Sequence, residues 1–196
     1  TLLNDDLFLK KIGLTKNSYW LSVNRLTASK RIEMQYDAFV KLKDKKLVIV
    51  GSYEKGVSQF EEYIKKINNY KPDNVLVLSW VDNEDLQALY RHCQGFITTS
   101  VNEDFGMTVV EAMAFGKPVI APKDGGYIET VNDKTGILIE GINSEKLAQS
   151  IYTIEKNLNY NTNYYKDNCV KRAKKFNLEA FKSGIDEIIF NENLDE

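Results

Sequence analysis

This chain is poor in the residues that build metal, redox and nucleic-acid sites. Its 196 residues include one histidine, His92, and two cysteines, Cys93 and Cys169, in no metal-ligand spacing. Both thiols read as reduced, packed side chains, since free cysteine is among the most buried residue types. A net charge of −2 exerts no overall pull toward nucleic acid or an anionic membrane. No apolar run approaches the ~20 residues of a membrane span, and no signal peptide is visible. The G-x-G-x-x-G turn of dinucleotide sites is absent, and Gly51 to Gly56 lacks the Gly-Lys-Ser/Thr ending of a P-loop. There are no internal repeats and no low-complexity tracts. What remains is a globular chain with 43% hydrophobic residues, enough for a sizeable core.

Short apolar runs rich in Val, Ile and Leu recur along it: 19–23, 46–51, 74–79, 96–100, 118–122 and 136–140. Such continuous runs predict strands covered on both faces. Between and after them, helical periodicity marks 29–42, 57–67, 84–93, 108–115, 127–131 and 144–158, then 165–176 and 178–190. The alternation predicts an α/β fold, a Rossmann-like doubly wound parallel sheet of about six strands with helices on both faces. Asp82 and Ser144 have the look of helix N-caps. The stretch NLNYNTNYY, residues 157–165, is expected to be a flexible connection. In the last helix Leu178, Phe181, Ile185, Ile188 and Ile189 lie at the spacing of one apolar face, which on amphipathicity alone predicts docking onto this domain.

The most informative segment is EDFGMTVVEAMAFG, Glu103 to Gly116, which runs into KPVIAP. Two carboxylates, Glu103 and Glu111, stand eight positions apart across a loop-to-helix junction with Gly106 at the turn. A helix N-terminus offers unpaired N–H groups and partial positive charge, a natural seat for an anion such as a diphosphate. Carboxylates beside it can accept from sugar and ribose hydroxyls. Thr108-Val-Val-Glu111 is also a capping box, in which Glu111 only secures the helix start. Both readings stand at this level. Glu103 has no capping use.

This segment resembles the E-x7-E signature of the retaining GT-B glycosyltransferases called group 1, and the similarity runs over residues 19–190. Within that superfamily it most resembles archaeal and bacterial mannosyltransferases. The resemblance implies the C-terminal, donor-binding half of a GT-B fold, with residues 1–18 a linker or truncated segment from an N-terminal domain, 19–190 the nucleotide-sugar domain and 191–196 a tail. It implies GDP-mannose as donor, bound as substrate with no further cofactor and no metal; the absence of Asp-x-Asp agrees with that. A glycan or lipid-linked acceptor would be held by the N-terminal domain, at a cytoplasmic location near the inner membrane face. The fragment alone is expected to be inactive. A non-catalytic nucleotide-sugar binding module and, more weakly, a dinucleotide-binding domain are the alternatives.

Residue by residue, the resemblance makes Arg25 and Lys30, five apart after the first strand, the diphosphate clamp. Arg31 is the alternative cation. Glu103 would contact the transferred sugar and Glu111 the ribose. Phe105, Gly106, Met107 and Thr108 would face the phosphates, and Gly51 and Val81 would lie near the nucleoside. Gly125, Gly126 and Glu129 match a Gly-Gly-x-x-Glu turn, read as structural first. In the family the C-terminal helix crosses to the other domain, which would leave part of its apolar face exposed. Asn24 stands where the family has glycine, Gly51-Ser52-Tyr53 where it has Gly-x-Gly, and Trp80 where glycine is common; its ring either lines the base pocket or packs.

Overall fold

The computed structural model describes residues 2–191. Six parallel strands, β1 (Trp20–Val23), β2 (Leu47–Val50), β3 (Val75–Leu78), β4 (Gly95–Ile97), β5 (Val119–Pro122) and β6 (Gly136–Ile139), form one sheet in the order β3-β2-β1-β4-β5-β6. Strands β2 and β5 are buried along their whole length, as their unbroken apolar sequences require. The helices are α1 (Leu2–Lys11), α2 (Ile32–Lys41), α3 (Ser58–Asn68), α4 (Asn83–His92), α5 (Met107–Ala114), α6 (Tyr127–Thr130), α7 (Ser144–Tyr160), α8 (Lys166–Ala173) and α9 (Leu178–Asn191). The expected doubly wound fold is therefore the observed one. The strand order reverses between β1 and β4, and it is beyond the carboxyl ends of strands at such a switch point that open α/β sheets take ligands.

Several local expectations give way to tertiary contacts. Within residues 1–18 lies α1, which packs on α4; Leu9 is buried there, and Asp5 accepts from Arg91 and bonds His92 Nε2 at 2.9 Å. The helix expected from residue 29 is broken. A 3-10 turn spans Ala28–Lys30, Arg31 is left-handed (φ 49°), and α2 starts only at Ile32. Strand β4 stops at Ile97, and beyond it the Thr98, Thr99 and Ser100 hydroxyls bond Tyr127, Lys30 and Glu103, although Thr98 N–H still reaches Ile120 O at 3.0 Å. Asp82 caps α4 as expected, its Oδ1 accepting from Asp85 N–H at 2.9 Å. The cap of α7 is Asn143 and not Ser144: Asn143 Oδ1 accepts from Lys146 N–H at 2.9 Å, which places Ser144 inside the helix. The expected connection at 157–165 is shorter than predicted. Asn157 to Tyr160 continue α7, and Asn157 Nδ2 donates to Tyr165 Oη at 2.7 Å across the turn that follows.

Helix α9 does not dock by its apolar face. Leu178, Phe181, Ile185 and Ile188 are 65%, 66%, 42% and 60% exposed. Of the tail expected at 191–196, residues 192–196 lie outside the described residues.

Candidate functional site

The rim of the switch point is built by two loops that grip each other. Val101 N–H donates to Ser29 O at 3.1 Å, tying the segment after β4 to the 3-10 turn after β1. Buried Gln35 donates to the Thr99 hydroxyl at 2.9 Å, and that hydroxyl donates to Lys30 O at 2.7 Å. Lys30 is thus fixed by its main chain while its ammonium stays in the cleft. The cleft, about 320 Å³, is lined by Arg25, Lys30, Glu103 and the segment Phe105 to Thr108, with Thr98 and Tyr127 at its floor.

Its centre is the Glu103 carboxylate. Oε2 receives Lys30 Nζ at 2.6 Å, Ser100 Oγ at 2.9 Å and Tyr127 Oη at 3.5 Å, and Lys30 Nζ also donates to Ser100 Oγ at 3.0 Å. Partial burial pulls the carboxyl pKa upward, but the bonds from Lys30 and Ser100 and the Lys30 charge outweigh it, so Glu103 lies below the usual carboxylate range. Tyr127 bonds Thr98 Oγ1 at 2.9 Å, and burial beside the Glu103 charge pushes its phenol up to about 12. It remains a neutral donor.

Gly106 turns the chain into α5. It is left-handed (φ 82°), and a Cβ there would sit 2.7 Å from the Tyr127 ring, so the turn needs glycine on both counts. Helix α5 begins at Met107 with Gly106 as N-cap and no side-chain cap. Among the described residues the Met107 and Thr108 N–H groups meet no acceptor, and they open the helix at the cleft beside Glu103. Gly126 closes the arrangement from behind. Its N–H donates to Glu103 O at 2.8 Å, and an added Cβ would lie 2.3 Å from Asp104 O.

The structure therefore brings together Arg25, Lys30, Glu103, Phe105, Gly106, Met107 and Thr108. Arg25 is exposed, with no ion-pair partner among the described residues. Arg31 is drawn away from the cleft: its Nε donates to Thr99 O at 2.6 Å, and burial lowers its pKa. Glu111 stands apart from the Glu103 cluster. It is not a capping-box residue, because Thr108 already lies inside the helix; its Oε2 instead accepts from Tyr90 Oη at 2.8 Å in a separate hollow with Asn83 and Leu86. Gly51 is a close-approach residue, since a Cβ there would lie 2.1 Å from Asn24 O. Val81 is half-buried, and Trp80 beside it is 78% exposed and so is not a packing residue. Sequence reasoning missed Thr98, Thr99, Ser100, Tyr127 and Gln35. The hydroxyl run at the end of an otherwise apolar strand was the available signal.

A parallel α/β sheet with this strand order, carrying a cleft at its switch point, is a Rossmann-like domain of the kind that forms the C-terminal half of GT-B proteins. The chain belongs to the family of glycosyl transferases group 1, whose model matches residues 5–176. It is 34% identical over 149 residues to the alpha-1,3/1,6-mannosyltransferase ALG2 of Dictyostelium discoideum, covering 66% of this chain and 36% of that protein. With the protein of the same name from Kluyveromyces lactis the identity is 29%, over 95% of this chain and 45% of that one. The chain thus spans less than half the length of these relatives. The solved structure of Anabaena Alr3699/HepE in complex with UDP and glucose superposes with a TM-score of 0.82 at 23% identity, covering 97% of this chain and 53% of that one. Among the described residues no helix is long and apolar enough to cross a membrane, and no group of three or more His, Cys, Asp or Glu is placed to hold a metal ion.

Proposed function

We propose that this chain is the donor-binding domain of a retaining glycosyltransferase that takes a nucleotide sugar, GDP-mannose, and passes the sugar to an acceptor held by a further domain. The observation that carries the reading is the convergence of Lys30, Glu103 and the unpaired N–H groups of α5 in one cleft at the switch point. A diphosphate fits the N–H groups and the two cations; a fixed positive charge lowers the free energy of a leaving group that gains negative charge. Glu103, once released from Lys30, is placed to accept from a sugar hydroxyl. Glu111 and Tyr90 then offer polar groups for the ribose, and the hollow beside them receives the nucleoside. The mannosyltransferase names of the relatives support the sugar, and the UDP and glucose of the Anabaena complex support the donor class.

Helix α9 presents an apolar face of the kind that a second domain would cover. The acceptor, glycan or lipid-linked, would be recognised by that domain and not in the cleft described above. Calorimetric titration with a panel of nucleotide sugars tests the reading. Saturable binding of GDP-mannose that survives EDTA, and no turnover by the chain alone, are the expected results. Tighter binding of NAD(H) than of any nucleotide sugar would overturn it in favour of a dinucleotide site.

A further inference from the structure

The end of the sheet opposite the donor cleft carries a second cavity, of about 560 Å³, beneath the starts of β4 and β5. Its size lies in the range of small-molecule sites. Three cations, Arg91, Lys117 and Lys166, line it together with the side-chain amides of Asn17, Gln94 and Asn163, and no carboxylate does.

The three cations are not equivalent. Arg91 is committed, paired with Asp5 and lying 5.8 Å from the centre of the Phe115 ring. The ammonium groups of Lys117 and Lys166 have no hydrogen-bond or ion-pair partner among the described residues. Desolvation holds Lys117 below the ordinary lysine range; the neighbouring Cys93 thiol acts against this and the charge of Lys166 acts with it. A desolvated ammonium beside a like charge is costly unless something negative answers it.

The helix ends around the cavity answer it only in part. Helices α4, α5 and α7 all finish here, and their terminal carbonyls would attract cations if left open. Among the described residues those of α4 and α5 are mostly taken, while in α7 only the first of the last four is. His92 O accepts from Asn17 N–H at 2.8 Å, Ala112 O from Lys117 N–H at 3.0 Å, Met113 O from Gly116 N–H at 2.9 Å and Asn157 O from Asn161 N–H at 2.9 Å. The open carbonyls supply only partial negative charge against the full charges of Lys117 and Lys166, and no carboxylate lines the cavity beside them.

We propose that this cavity is a second anion site that binds a compact phosphate-bearing solute between Lys117 and Lys166, with the Asn17, Gln94 and Asn163 amides as neutral donors around it. The site is independent of the donor cleft. It is tested by titrating inorganic phosphate, at ionic strength held constant with chloride, into the chain carrying Arg25→Met and Lys30→Met, so that the cleft does not contribute. Saturable binding is expected, weakened about ten-fold or more by adding Lys117→Met or Lys166→Met, each of which removes a charge-assisted contact and keeps an apolar stem. Should Lys117→Met fail to fold, Lys166→Met at the surface carries the same reading. No saturation up to roughly 50 mM phosphate, or binding indifferent to the lysine substitutions that fold, overturns the proposal. Loss of all phosphate binding in the parent Arg25→Met, Lys30→Met chain would overturn it equally and leave the donor cleft standing.

Discussion

Replacing Glu103 with glutamine should tighten the binding of a free nucleoside diphosphate. Without ligand, Lys30 Nζ sits 2.6 Å from Glu103 Oε2, so a diphosphate that recruits Lys30 must take it from its carboxylate. The two side chains are 22% and 25% exposed, a setting in which an ion pair has a net worth of about 1 kcal/mol or less. Glutamine keeps the shape and one acceptor oxygen but removes the charge, so up to about 1 kcal/mol less opposes the exchange, an affinity gain of about five-fold. Removing the repulsion between the carboxylate and the diphosphate acts in the same direction. Calorimetry with GDP and UDP reads the effect, and a double-mutant cycle assigns it: in the Lys30→Ala background most of the gain should vanish. With the sugar nucleotide in a complete enzyme the sign reverses, because Glu103 is then needed for the sugar, and kcat falls more than donor affinity. The pH dependence follows from the same pair. Glu103 has its pKa depressed in the folded state, so its contribution to stability is complete above the unfolded value and is lost as pH falls through the folded one. The acid limb of the unfolding curve should therefore be shallower for Glu103→Gln than for the parent chain. Weaker diphosphate binding by Glu103→Gln, with the fold intact, would refute the exchange.

Arg25→Ala and Lys30→Ala should each weaken diphosphate binding about 10- to 150-fold, the loss of a charge-assisted contact, and leave a nucleoside nearly unaffected; equal losses for both ligands would mean a role in folding instead. Glu111→Gln should melt within about 2 °C of the parent, since Glu111 caps no helix end, while weakening nucleoside and diphosphate alike. A drop of several degrees with normal nucleotide binding would return Glu111 to a structural role. Gly126→Ala places a Cβ 2.3 Å from Asp104 O and 2.6 Å from Phe105 Cα, so the Glu103 loop must move; a loss of about 1–3 kcal/mol in denaturant unfolding and weaker donor binding are expected, and an unchanged midpoint would show that the loop yields freely.

The strands and most helices were legible in the sequence because their signals are local: unbroken Val, Ile and Leu runs for a covered parallel sheet, and apolar periodicity for the helices. The Glu103 to Gly116 segment likewise marked the cleft, since a glycine turn feeding a helix N-terminus is written in consecutive residues. Tertiary structure decided what those residues do. Lys30 and Glu103 are 73 positions apart, and their pairing depends on the Thr99 and Gln35 contacts that fix the loop after β1. No local pattern encodes them. The left-handed Arg31 interrupts an otherwise continuous helical pattern, while its side chain is held by the Thr99 carbonyl in the segment after β4. Thr108 and Glu111 satisfied the capping-box spacing, yet the helix begins one residue earlier and Glu111 turns to Tyr90 on α4. Capping depends on where the chain enters a helix, and here the entry is fixed by Gly106 packing against Tyr127, a contact across the sheet end that spacing alone does not contain.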